Sequence, residues 1–222
     1  MSSLHRTRIK ICGLTREQDV RDAIAAGADA IGLVFYPHSP RNIAPEAAGQ
    51  LLRCVPPFVT TTGLFVNASL ETVQSVIAKV PLALLQFHGD ETAEMCAHIA
   101  AAVNRPFIRA LRVKPEATAA DLIEYEAQYR AASSLFSGLL LDTFVDGYGG
   151  SGKVFDWSLI PESIAHRVVL SGGLNAQNAA EAVSRIRPFA VDVSSGVEAA
   201  KGIKDAEKIR AFIRAVRTAD AV

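Results

Sequence analysis

Four short apolar runs in this chain of 222 residues carry a group able to move a proton at or near their C-terminal ends: Cys12 in RIKIC, His88 after LALLQF, Asp142 in GLLLD and Asp192 in FAVDVSS. Side chains alternate between the two faces of an extended strand. Ile9 and Ile11 therefore share one face of RIKIC, and Arg8, Lys10 and Cys12 the other. By the same parity Gln86 and His88 oppose Leu85 and Phe87, Leu140 and Asp142 oppose Leu139 and Leu141, and Asp192 opposes Val191 and Val193. Each group alone has an ordinary structural reading, as a small buried thiol, a satisfied core histidine or a strand-end cap. Gathered at one end of a sheet, they become candidates for an acid and a base held in different protonation states by different surroundings.

Two glycine-bearing turns add an anion signal. VVLSGGLN and VDVSSGVE end in small residues just before helical segments, so the backbone N–H groups of Gly172, Gly173, Ser195 and Gly196 can approach a phosphate closely. A third glycine stretch, DTFVDGYGGSGKVFDW, matches the GxxxxGK spacing of a P-loop from Gly147 to Lys153. Val154 stands where a hydroxyl would bind Mg²⁺, so the match reads as accidental. A long loop of small residues beside Asp142 is expected instead to act as a mobile cover that excludes water, with Asp146 a solvated turn residue.

The elements that must position these groups alternate regularly. Eight β-branched or apolar runs are each followed by a helix-like segment. Thr15, for TREQDVRDAIAAG, and Ser69, for SLETVQSVIAKV, are the expected N-caps, and Pro45 lies in a first helical turn. Parallel strands need crossover helices, and eight such units favour a closed (β/α)8 TIM barrel over an open sheet. The first strand is followed by CGLTRE rather than GxGxxG, which also disfavours the open dinucleotide fold. The expectation is an α/β chain forming one barrel domain over residues 1–222, with GVEAA as a short extra helix after the eighth strand. In such barrels the chemistry sits at the C-terminal strand ends, with phosphate held after strands seven and eight.

Composition narrows the function. With 23 basic and 23 acidic residues the formal net charge is zero, which gives no electrostatic reason to expect nucleic acid or a membrane surface. Cys12, Cys54 and Cys96 are odd in number and far apart, so reduced thiols in the cytoplasm are expected, without a disulfide framework or a metal site. MSSLHRTRIKICG has no apolar run of a secretory leader. The uncharged stretch VPPFVTTTGLFVNASL is broken by Pro56, Pro57, Gly63 and Asn67, so no membrane span is expected.

KICGLT, LVFYPHSPR, QFHG, LLLDT…GGSGKVFDW, LSGGLN and VDVSSGVE, in this order from Lys10 to Glu198, resemble the phosphoribosylanthranilate isomerase family. The resemblance implies a TIM barrel that catalyses a cofactor-free Amadori rearrangement in tryptophan biosynthesis. Its substrate would be a small phosphorylated molecule, and the chain would work as a monomer or homodimer. Matched position by position, the general base is Cys12, the general acid Asp142, and Arg41 the arginine for the anthranilate carboxylate. Gly172, Gly173, Ser195 and Gly196 match the phosphate loops, and His88 and Asp192 polar positions of the pocket. Lys10, on the same face as Cys12, and the surroundings of the bound ligand are the expected sources of the thiolate character a base needs. A related isomerase of histidine biosynthesis fits less well, because that family resembles a duplicated half-barrel with aspartate where Cys12 stands.

Overall fold

Several helices of the chain begin where the sequence offers a side-chain acceptor for the free N–H groups of a first turn. The computed structural model describes residues 6–143 and 155–221. Its order is β1 (Arg8–Cys12), α1 (Glu17–Ala26), β2 (Ala30–Phe35), α2 (Pro45–Leu51), β3 (Thr60–Phe65), α3 (Leu70–Ile77), β4 (Leu84–Phe87) and α4 (Ala93–Val103). There follow β5 (Phe107–Val113), α5 (Ala119–Ala132), β6 (Phe136–Thr143), α6 (Glu162–Ala165), β7 (Val169–Leu170), α7 (Ala179–Ile186) and β8 (Ala190–Val193). A small hairpin, β9 (Glu198–Ala200) and β10 (Ile203–Lys204), precedes the last helix, α8 (Ala206–Asp220).

Ser69 caps α3 by accepting from the N–H of Thr72, and Thr118 and Asp121 form a reciprocal capping box on α5. Gly27 ends α1 at φ 99°, a left-handed conformation that glycine adopts without strain. Thr15, in contrast, does not cap α1. That helix starts later, after Arg16, and the Thr15 hydroxyl donates to Gly202 O at 2.7 Å. Its partner comes from the hairpin after β8, a contact that local sequence could not announce.

The eight strands pair in sequence order, all parallel, and β8 closes on β1 with Arg8 beside Ala190 and Lys10 beside Asp192. Closure removes the sheet edges and sorts the strand side chains into two cores. Ile9, Ile11, Leu85, Phe87, Leu139 and Leu141 belong to the layer between strands and helices. Phe87 meets Phe107 there edge-on at 5.6 Å. Ile108, Ala110, Leu140, Val169 and Ala190 form a separate cluster, partly covered by Leu84, that fills the barrel. The alternation expected for β1, β4 and β6 holds.

The segment GVEAA departs from its expected form. Helical geometry is confined to a 3₁₀ turn over Ser195–Val197, and Glu198–Ala200 then pairs antiparallel with Ile203–Lys204. Gly202, at φ 78°, makes the tight return, and Glu198 is drawn into ion pairs that a continuing helix would break. Among the described residues, no helix is long and apolar enough to cross a membrane. The glycine stretch of residues 147–152, Asp146 and Lys153 lie outside the described residues.

Candidate active site

The strand parities deliver their polar groups to one cleft at the C-terminal ends of the strands, where such barrels hold their ligands. Cys12, Arg41, His88, Asp142, Gly172, Gly173, Asp192 and Ser195 all line it. Gly196 is not a lining residue and lies against the β7 loop. A methyl group added there would stand 1.9 Å from Leu174 O, a backbone atom that cannot swing away. Gly196→Ala is therefore expected to cost about 1–3 kcal/mol as an overpacked substitution, read as a lower denaturation midpoint.

Cys12 sits at the end of β1 and is almost fully buried. It faces Gly32 of β2, where a side chain would come within 2.7 Å of Sγ and 3.0 Å of Lys10 Nζ, so glycine makes room for both. Lys10 Nζ donates to Asp192 Oδ1 at 2.9 Å in a pair about 6% exposed on each side. Burial alone would lower the Lys10 ammonium, but the charges of Asp192 and Cys12 raise it above its usual value. Lys10 does not by itself bring the Cys12 thiol below its ordinary range. Burial pushes the thiol up, and Lys10, already shared with Asp192, pulls it down only in part.

Asp142 lies across the mouth at the end of β6. Its Oδ1 accepts from the N–H of Thr143 at 2.8 Å, and its Oδ2 lies 3.2 Å from His88 Nε2. Gly172, at φ 82°, leaves the space this carboxylate needs, since an added Cβ would be 2.8 Å from Oδ1 and 2.5 Å from Thr143 N. His88 Nδ1 is 3.0 Å from Gln86 Nε2, so the imidazole is oriented through both ring nitrogens. The turn that carries it is pinned from below. Arg109 donates to Phe87 O at 3.0 Å and Gly89 O at 2.9 Å, on either side of His88, and Glu91 accepts from Gly89 N at 2.8 Å.

The turns after β7 and β8 present donors rather than charges. The N–H groups of Gly172 and Gly173 have no intramolecular acceptor among the described residues, and both glycines have positive φ. Ser195 and Gly196 begin a 3₁₀ turn, where N–H groups lack intrahelical partners. Neighbouring N–H groups of this kind suit a phosphate. Arg41, from the loop after β2, reaches the cleft while paired with Glu198. Among the described residues, no cluster of three His, Cys, Asp or Glu could hold a metal ion.

Glu198, Lys204, Gly32, Glu91 and Arg109 support this site, and sequence patterning assigned none of them a role. Glu198 alone had a signal, as the last residue of VDVSSGVE. The others act through contacts distant in sequence.

Fold and cleft together define an enzyme of the (β/α)8-barrel class, with its polar groups gathered at the C-terminal mouth. The family model described as N-(5'phosphoribosyl)anthranilate (PRA) isomerase matches residues 9–215. The N-(5'-phosphoribosyl)anthranilate isomerase of Herminiimonas arsenicoxydans is 73% identical over 218 residues, covering 98% of this chain and 96% of that protein. The crystal structure of phosphoribosyl anthranilate isomerase from Thermotoga maritima superposes with a TM-score of 0.83 at 44% identity, over 96% of this chain and 99% of that one. A further structure of such an isomerase, in complex with reduced 1-(o-carboxyphenylamino)-1-deoxyribulose 5-phosphate, superposes with a TM-score of 0.80 at 41% identity, over the same shares. This chain belongs to the N-(5'-phosphoribosyl)anthranilate isomerase family, and it is an isomerase of tryptophan biosynthesis.

Proposed function

We propose that Cys12 and Asp142 are the base and the acid with which this isomerase converts N-(5-phospho-β-D-ribosyl)anthranilate to 1-(2-carboxyphenylamino)-1-deoxy-D-ribulose 5-phosphate. The observation that carries the assignment is their placement. They line one cleft from β1 and β6, which the ring order β6-β7-β8-β1 sets three steps apart. Two groups so placed address different sides of a bound sugar.

Asp142 protonates the furanose ring oxygen as the C1–O bond breaks, and the anilino nitrogen supplies the electron pair for the imine. Cys12, as thiolate, removes the proton from C2, and the C–H electrons flow to give the enolamine. Tautomerisation to the ketone then moves a proton from the C2 oxygen to C1. Every step is a proton transfer with bond reorganisation inside the substrate, so the chemistry calls for no cofactor. At the end Asp142 lacks a proton and Cys12 holds one, and the pair must be reset before the next turnover. Burial of Cys12 favours the thiol, so formation of the thiolate is part of the barrier.

The phosphate lies against Gly172, Gly173 and Ser195, on the rim between β6 and β1, and Gly196 lets the turn that carries Ser195 pack against the β7 loop. The anthranilate carboxylate lies against Arg41 on the opposite side of β1. Asp192 holds Lys10 beside Cys12, and His88 orients Asp142. The sugar then spans the mouth between acid and base. A reactive thiol in a chain whose cysteines are all free fits a reducing compartment, the cytoplasm. The chain works as one domain, as a monomer or homodimer, which sedimentation velocity distinguishes.

The direct test is loss of substrate fluorescence on adding the protein. Arg41→Ala is expected to remove a charge-assisted hydrogen bond of about 1.5–3 kcal/mol. The Michaelis constant would rise roughly ten- to a hundredfold with little change in kcat. An unchanged Michaelis constant would refute the carboxylate role.

A further inference from the structure

Arg41 is held less by the loop that carries it than by a carboxylate from the hairpin after β8. Its Nε donates to Glu198 Oε1 at 2.7 Å and its Nη2 to Oε2 at 2.8 Å, the two-pronged arrangement that fixes a guanidinium in plane. The side chains are 12% and 6% exposed. Nη1 keeps no hydrogen-bond partner among the described residues, although Arg41 lines the cleft. Gly13, at φ 76°, clears the path, since a Cβ there would lie 2.5 Å from Arg41 Cδ.

Glu198 is itself braced. Lys204 Nζ, fully buried, donates to Glu198 Oε1 at 3.0 Å and to Ser194 O at 3.0 Å. The Ser194 hydroxyl in turn donates to Cys12 O at 3.0 Å. Burial alone would raise the Glu198 carboxyl, but the hydrogen bond from Arg41 and the charge of Lys204 hold it below the usual carboxylate range. The three side chains carry one net positive charge, directed to a site that must take an anion. Two strands as short as β9 and β10 need no buried ion triad to pair, and such a triad is a costly way to gain stability alone.

We propose that Glu198, braced by Lys204, is a positioning residue that fixes Arg41 for the aromatic carboxylate of the substrate and ties that end of the site to the turn after β8. The inference rests on the carboxylate role given to Arg41 above. Preorganisation of this kind acts on binding, because a free arginine would have to give up rotamers when substrate arrives.

The test is Glu198→Gln, Arg41→Ala and the double variant, each measured for steady-state turnover. Binding is measured for two probes, the reduced product analogue and its counterpart lacking the ring carboxylate. Glu198→Gln is expected to raise the Michaelis constant about tenfold with kcat within about twofold. It should weaken the carboxylated analogue about tenfold and leave the other unchanged. In the Arg41→Ala background Glu198→Gln should add nothing, a non-additivity that a merely structural role would not give. Equal weakening of both analogues, or none, overturns the inference. If Arg41→Ala abolishes discrimination between the analogues and Glu198→Gln leaves it at the wild-type value, this inference alone fails. If Arg41→Ala preserves discrimination, the carboxylate role fails and the inference with it. Should Glu198→Gln not fold, Glu198→Asp keeps the charge beside Lys204 but is too short to reach both guanidinium nitrogens. It carries the same expectation, and a wild-type Michaelis constant in that variant overturns the proposal.

Discussion

Replacing Cys12 with serine is expected to lower kcat by ~10²–10⁴-fold, the range that a positioned acid or base contributes. The substitution is nearly isosteric, so the space cleared by Gly32 and the Lys10–Asp192 pair should survive it. What is lost is acidity. A serine hydroxyl in the same buried position yields an alkoxide far less readily than the thiol yields a thiolate. Because burial holds the Cys12 thiol above its ordinary value, raising the pH populates the competent thiolate. Wild-type kcat/KM should therefore climb on the alkaline side until another group limits it, and Cys12→Ser should lack that limb. Steady-state rates across pH, read by substrate fluorescence, check both points. Turnover within a few-fold of wild type would remove Cys12 from the mechanism.

Asp142→Asn is expected to be as damaging, for the opposite reason. The side-chain oxygen of asparagine can still accept from Thr143 N–H, and the amide fills the same space beside Gly172. It has no acidic proton for the ring oxygen. The expected loss in kcat is again ~10²–10⁴-fold, with the product analogue bound within a few-fold of wild type and unfolding unchanged. A drop in binding that accounts for the whole rate loss would instead make Asp142 a ligand-positioning group.

The barrel was legible because its two periodicities are strong. RIKIC places Ile9 and Ile11 against the helices and Lys10 and Cys12 inside, and closure of β8 on β1 follows from the count of units. The lining of the cleft was legible where strand parity turns a polar side chain inward, as it does for Cys12, Gln86, His88, Asp142 and Asp192. It was not legible where a partner comes from far along the chain. Thr15 has a good capping side chain, yet its hydroxyl is taken by Gly202, 187 residues away. GVEAA has acceptable helix formers, yet Glu198 is committed to Arg41 and Lys204, and Gly202 turns the chain back. The state of Cys12 was not legible for a similar reason. Two residues of separation on β1 place Lys10 beside it, but sequence does not show that Asp192 claims the ammonium or how deeply the thiol is buried.

The measurement that reaches the assignment most directly is a crystal structure of this chain with reduced 1-(o-carboxyphenylamino)-1-deoxyribulose 5-phosphate. The C4 hydroxyl of that ligand is the former ring oxygen. An Asp142 oxygen should lie within hydrogen-bond reach of it, about 2.6–3.2 Å, with Cys12 Sγ against C2 from the other side. Asp142 on the phosphate or the ring carboxylate, or Cys12 turned away from C2, would contradict the pairing of acid and base.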